Sequence, residues 1–199
     1  MEKIAERLVA WQIQKKVIKE EDKAAYVYAY ETLLMRVINL LIAVIAGVVT
    51  KNLLAVVLFL VSYIPLRTYA GGYHSRDSIR CMILSTLLIL GVAIVTKIPL
   101  HEESLFGFFV YIGIGIFSYA VVLFTVPVAD ENKPLSEEEK RKYAAKARLI
   151  ATIIIMATLV CLLIGKPEIS GVLLLVQPVM ACMLILGIIN NRRLQKNTI

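Results

Sequence analysis

Histidine is scarce in this chain. There are two in 199 residues, together with three cysteines, and 15 acidic residues stand against 22 basic ones. Each shortage excludes something. Cys81, Cys161 and Cys182 are too few to build the disulfide framework of a small secreted domain, and two of them lie in apolar runs, where a thiol behaves as a small hydrophobe. The zinc-protease pattern H-E-x-x-H is absent, and the two histidines fall on opposite sides of the topology derived below, which rejects a membrane metalloprotease. No Walker motif occurs, and no apolar run carries the buried acid that marks an ion-coupled transporter. Internal repeats and low-complexity segments are missing. The opening "MEKIAERLVAWQIQKK" is charged throughout and has no unbroken apolar stretch, so it does not read as a signal peptide. No cofactor and no metal is expected.

What the chain has in excess is apolar surface. Hydrophobic residues make up 59% of it, charged residues 19%, and the mean hydropathy is +0.76. A soluble domain of this length could not hide so much, which points to a polytopic membrane protein. Six apolar runs can be marked, at Leu33–Thr50, Leu53–Tyr69, Cys81–Thr96, Leu105–Val128, Leu149–Gly165 and Ile169–Asn190. A helix needs about 20 residues to cross the hydrocarbon, with roughly 17 the short end. The first two runs could instead form a tight helical hairpin turning at Thr50 to Asn52.

The expected fold class is all-α: six transmembrane helices plus an N-terminal amphipathic interfacial helix. Residues 1–32 would form the N-terminal segment, 33–190 the membrane domain with a polar connection at 67–81, and 191–199 a basic tail. With the N-terminus inside and six crossings, the inner segments hold 19 of the lysines and arginines and the outer ones only Lys51, Lys97 and Lys166. That asymmetry predicts both termini in the cytoplasm. The basic residues sit between spans and not on a soluble face, so nucleic acid is not an expected partner.

Ile4, Leu8, Trp11 and Ile18 recur at helical spacing among Lys and Glu. This suits a helix in the headgroup layer, or a solvated helix packed on the cytoplasmic loops. The longest polar loop runs from Asp130 to Arg148. Ser136 followed by Glu139 predicts a capping box, and the helix it starts is expected to run directly into the fifth span.

One connection does not suit its surroundings. "LRTYAGGYHSRDSIRCM", Leu66 to Met82, packs three arginines, two adjacent glycines, a histidine and a cysteine between apolar runs. His101, beside Glu102 and Glu103 in a short outer loop, reads as a solvated residue. His74 is different, because it lies seven residues before Cys81. A cysteine nucleophile needs a base or cation to hold it as thiolate. On one continuous helix seven residues is roughly 10.5 Å of rise, too far for a hydrogen bond. The backbone must therefore leave the helix between the two, or bend back just before. Gly71 and Gly72 permit the necessary angles, and Asp77 or Ser78 can cap a new helix. Cys81 then enters the first turn of the third span, where the helix dipole favours a thiolate. Arg76 and Arg80 add positive potential, and the glycine turn could present amides to an oxyanion. The plainer alternative is a positive-inside anchor and a turn, with a histidine and a cysteine nearby by chance.

Arg67, then "AGGYH" from Ala70 to His74, then Cys81 resembles the accessory gene regulator B (AgrB) family of integral-membrane cysteine endopeptidases. The length, the charged amphipathic N-terminus, the six runs and the basic loop are similar to that family at lower specificity. The resemblance implies processing of the precursor of a cyclic autoinducing peptide in Gram-positive quorum sensing. Cys81 would be the nucleophile and His74 the base. An acyl-enzyme thioester would then close to a thiolactone or lactone. It further implies a bacterial cell-membrane location, a homodimer, and a precursor with an amphipathic N-terminal helix and an acidic C-terminal tail. Lys140, Arg141 and Lys142 could receive that tail, or serve topology alone, and Glu137 to Glu139 weigh against docking. Arg67 could pair with a substrate carboxylate or a lipid phosphate, or act as an interfacial anchor. Gly72 reads as conformational. Asp77, Glu31 and Asp130 are candidates to orient His74. Rival readings are a small membrane transporter or exporter of a peptide or other solute, and a non-catalytic adaptor; both should be indifferent to loss of Cys81.

Overall fold

The computed structural model describes residues 2–73, 78–97, 105–128 and 136–197. Among the described residues all regular structure is helical. In chain order come α1 (Glu2–Gln14), a 3-10 turn (Glu20–Asp22), α2 (Lys23–Val49), α3 (Leu53–Ala70), α4 (Ser78–Val95), α5 (Leu105–Thr125), α6 (Glu137–Leu163) and α7 (Pro167–Asn197). Four segments are long and apolar enough to cross a membrane: Glu20–Val49, Leu53–Ala70, Glu137–Leu163 and Pro167–Arg193. Met82–Val95 and Phe109–Thr125 are apolar but shorter. The six apolar runs thus each coincide with a helix, and among the described residues four of these helices contain a segment both long and apolar enough to cross a membrane.

The helix ends follow local chemistry. At the end of α2 the Thr50 hydroxyl donates to the Ala46 carbonyl at 2.7 Å, and the Asn52 amide returns to Gly47 at 2.8 Å. This closes a helical hairpin with its turn at Thr50 to Asn52, where the sequence allowed one. The Asn52 side-chain amide then reaches the last turn of α4, donating to Ala93 O at 3.3 Å and Thr96 Oγ1 at 2.7 Å. The predicted capping box opens α6: Ser136 Oγ accepts from the Glu139 amide at 3.3 Å, and Glu139 Oε2 accepts from the Ser136 amide at 2.9 Å. From there α6 continues without interruption through its apolar part.

Packing centres on α7, which lies against α3, α5 and α6. Val176, Met180 and Leu184 of α7 are fully buried in one cluster with Phe59 and Leu66 of α3, Val122 of α5 and Ala151 of α6, and the buried Gln177 donates its Nε2 to Ala151 O at 3.1 Å. A second, smaller cluster joins α2, α3 and α4 through Ala43, Ala46, Val56, Ile89 and Ala93. Small residues let these helices approach closely where lipid gives no hydrophobic push between them. The outer face of α2 carries exposed Leu40, Leu41, Val44, Ile45 and Val48, a surface suited to hydrocarbon and not to water.

The N-terminal segment differs from the expectation in where its helix ends. Its helix ends at Gln14, so Ile18 is not on the face of Ile4, Leu8 and Trp11; it is buried in the turn that follows. The helix also packs along α2, with Ala5 and Val9 buried and Gln12 Nε2 donating to the Tyr30 hydroxyl at 2.7 Å. The 27-residue α2 begins at Lys23, so residues 23–32 are continuous in helix with the first apolar run.

Candidate functional site

The polar connection begins where α3 stops. Ala70 is followed by Gly71 at φ +74° and Gly72 at φ +109°, angles that side chains with a Cβ rarely adopt. The turn is held from outside as well. Val128, just past α5, donates its amide to Ala70 O at 2.9 Å and accepts from the Gly72 amide at 3.3 Å. Gly71 and Val128 form an isolated parallel bridge. The contact is so close that a Cβ on Gly71 would stand 2.0 Å from Val128 O.

The next contact is with α7. The Tyr73 amide donates to Met183 O at 2.9 Å. Backbone meets backbone here because the facing helix carries Gly187. A Cβ there would lie 2.7 Å from the Tyr73 nitrogen and 2.8 Å from the Gly72 carbonyl carbon. On the other side, a Cβ on Gly72 would lie 2.7 Å from Arg67 Nη1 and 2.9 Å from Met183 O.

Arg67, in the last turn of α3, closes the arrangement. Its Nη1 donates to Gly71 O at 3.0 Å and its Nη2 donates to Tyr73 O. A planar fork with fixed donors suits two carbonyls of one turn. The sequence offered Arg67 a carboxylate, a phosphate or an anchoring role; the structure gives it the backbone of its own connection. The partners satisfy carbonyls that the turn would otherwise leave without donors near the core.

The chain re-enters a helix at Ser78, so Cys81 is the fourth residue of α4, in its first turn. Helix α3 ends at Ala70 and α4 begins at Ser78, with Gly71, Gly72 and Tyr73 outside any helix. His74, Arg76 and Asp77 lie outside the described residues, as do His101, Asp130 and the Cys81 side chain. Arg80 is exposed, and Glu31 lies in the first third of α2.

The basic run sits at the same end. Tyr69, two residues before Gly71, meets Tyr143 of α6 edge to face at 5.7 Å, and Lys146 Nζ stands 4.9 Å over the Tyr69 ring. Arg148 Nε donates to Leu123 O of α5 at 3.0 Å. Within α6, Lys140 pairs with Glu137 at 2.6 Å and Lys142 with Glu138 at 2.7 Å, while Arg141 is exposed. The lysines and glutamates of this turn therefore compensate one another along the helix surface.

Three participants escaped the sequence reading. Val128 closed an apolar run, Met183 contributes only its carbonyl, and Gly187 is an isolated glycine in a helical pattern. The last had a usable signal, since a helix-interior glycine costs about 1 kcal/mol and often marks close packing.

The family model for accessory gene regulator B matches residues 1–195. A Clostridium perfringens protein with the designation AgrB-like protein 2 is 31% identical over 65% of this chain and 61% of its own length. Another C. perfringens protein of AgrB-like designation is 30% identical over the same shares. This chain thus spans about three fifths of the length of those clostridial relatives. A Listeria innocua protein, also of AgrB-like designation, is 30% identical over 78% of this chain and 74% of its own length. No solved structure matches the chain.

Proposed function

This chain belongs to the accessory gene regulator B family, and on that premise we propose that it is a membrane cysteine endopeptidase that removes the C-terminal tail of a quorum-sensing pro-peptide. Six membrane crossings with both termini in the cytoplasm are part of the same proposal. So are a homodimer and a reaction at the cytoplasmic rim of the bilayer.

The observation that carries the reading is the pinned turn. The chain reaches Tyr73 on a backbone held by Arg67, Val128 and α7, passes to His74 as the next residue, and returns to a helix with Cys81 in its first turn. The first turn of a helix supplies partial positive charge to a thiolate. A fixed backbone before the base limits the arrangements it must search, which is how proximity lowers a barrier.

In the proposed reaction His74 accepts the Cys81 thiol proton and the thiolate attacks the carbonyl at the tail junction. The C–N bond breaks and the tail leaves as an amine carrying that proton. A thioester to Cys81 remains. An internal thiol or hydroxyl of the precursor then passes its proton to His74 and attacks the thioester carbonyl; the C–S bond to Cys81 breaks, the released sulfur takes up that proton, and a thiolactone or lactone is closed. Exchange between thioesters is nearly balanced, so ring closure needs no nucleotide, and a water-poor surround protects the intermediate from hydrolysis. Lys140 and Lys142 are paired with Glu137 and Glu138, so within the run Lys140, Arg141 and Lys142 it is the exposed Arg141 that would do most to attract an acidic tail toward the site.

The test uses purified protein in lipid with a candidate precursor encoded beside it. The wild type should release the tail and form a covalent adduct. Cys81→Ala should do neither, and His74→Ala should slow adduct formation severely. Tail release by Cys81→Ala would remove the peptidase reading.

A further inference from the structure

We infer that Gly187 and the Met183 carbonyl of α7 are positioning groups for this site: they form a backbone seat that fixes where the connection runs into His74. The inference rests on the peptidase reading for its consequence, but the seat is a matter of geometry. The Met183 carbonyl has two lone pairs, and the helical bond uses one. The Tyr73 amide takes the other at 2.9 Å. This second bond is possible only because nothing projects from position 187, where a Cβ would stand 2.7 Å from the Tyr73 nitrogen and 3.0 Å from the Gly72 Cα. Gly72 answers from the opposite side, since a Cβ there would stand 2.9 Å from Met183 O. Two glycines thus face each other across a contact between the connection and the most deeply packed helix of the bundle.

The seat has the stiffness that positioning needs. Met180, Leu184 and Val176 of α7 are fully buried, so this stretch of helix cannot yield without disturbing the core. The connection would yield instead. A methyl at position 187 would push Gly72 and Tyr73 outward by several tenths of an ångström, loosen the Tyr73–Met183 bond and shift the carbonyl that Arg67 holds. The residue displaced next along the chain is His74. A misplacement of about 1 Å costs on the order of a hundredfold in rate, so a smaller displacement should cost about tenfold.

The test compares wild type, Gly187→Ala and Gly171→Ala in proteoliposomes, with Cys161 and Cys182 replaced by serine throughout. Gly171 lies on the same helix, and a Cβ there meets only the Tyr111 hydroxyl at 3.7 Å, an ordinary contact. Gly187→Ala should lower kcat for tail release about tenfold with KM nearly unchanged, and should slow alkylation of Cys81 by iodoacetamide at neutral pH. Gly171→Ala should match wild type in both. Wild-type kcat and alkylation in Gly187→Ala would overturn the inference. If wild type processes no precursor, the peptidase reading fails, and the Cys81 alkylation rates still decide the seat. If Gly187→Ala does not fold, hydrogen exchange of the wild type decides: the Tyr73 amide should be protected at least about tenfold over the unfolded chain, and an unprotected amide would overturn the inference.

Discussion

Around Gly72 the chain is held by backbone: amides and carbonyls of residues 70–73 bond to Val128, to Met183 and to the Arg67 fork. From Ser136 to Lys142 the chain is held by side chains at a surface, where Lys140 and Glu137 are 43% and 84% exposed and Lys142 and Glu138 are 67% and 79% exposed. The two regions share one end of the bundle, linked through Tyr69 and Tyr143. The first tolerates almost no added atom. The second would accept many, because water competes for each of its charges. Polar chemistry gathered in an apolar chain thus has two physical forms, one that fixes a geometry and one that sets a local potential.

That contrast is broken or sharpened by substitution. The largest effect should come from Arg67→Ala, which removes two donors from one turn; kcat for tail release should fall on the order of a hundredfold, and Arg67→Lys should not restore it, because a single ammonium cannot reproduce the fork. Retained activity in Arg67→Lys would mean that charge and not geometry matters there. Next comes Gly71→Ala, which forces a Cβ onto Val128 O and a side chain into a positive-φ conformation. Thermal unfolding in detergent should show a loss of about 1–3 kcal/mol. Then comes the basic run. Replacing Lys140, Arg141 and Lys142 together by glutamine should raise KM several-fold with kcat retained, and added salt should erase the difference from wild type. A fall in kcat would place the run in the chemistry and dissolve the contrast. Smallest is the cap: Ser136→Ala should cost about 1 kcal/mol of stability in the same unfolding assay and leave kcat alone.

Much of this was legible beforehand, for reasons particular to each element. The capping box at Ser136 and Glu139 is a local device whose partners are three residues apart. The turn at Thr50 to Asn52 and the end of α3 at Gly71 and Gly72 follow from short-range backbone rules, and the family was readable from Arg67, Gly71, Gly72, His74 and Cys81 in order. The packing was not. Hydropathy cannot separate α7, whose Val176, Met180 and Leu184 are fully buried, from α2, whose Leu40, Leu41 and Ile45 are exposed, because lipid and protein interior are equally apolar. The partners of Arg67 were hidden for another reason. They are carbonyls made available by a turn, and a carbonyl has no letter in a sequence. Met183 and Gly187 were hidden for both reasons at once, since each joins residues more than a hundred positions away through main-chain atoms.

The Asn52 side chain clasps α4 at the end remote from Cys81, at Ala93 and Thr96. From residue 81 to the end of α4 at residue 95 the helix rises about 21 Å. That helix is therefore a ruler: the clasp at one end sets how far along the bundle residue 81 stands at the other, and adding or deleting one residue along it would both slide and rotate that residue without touching any part of the connection.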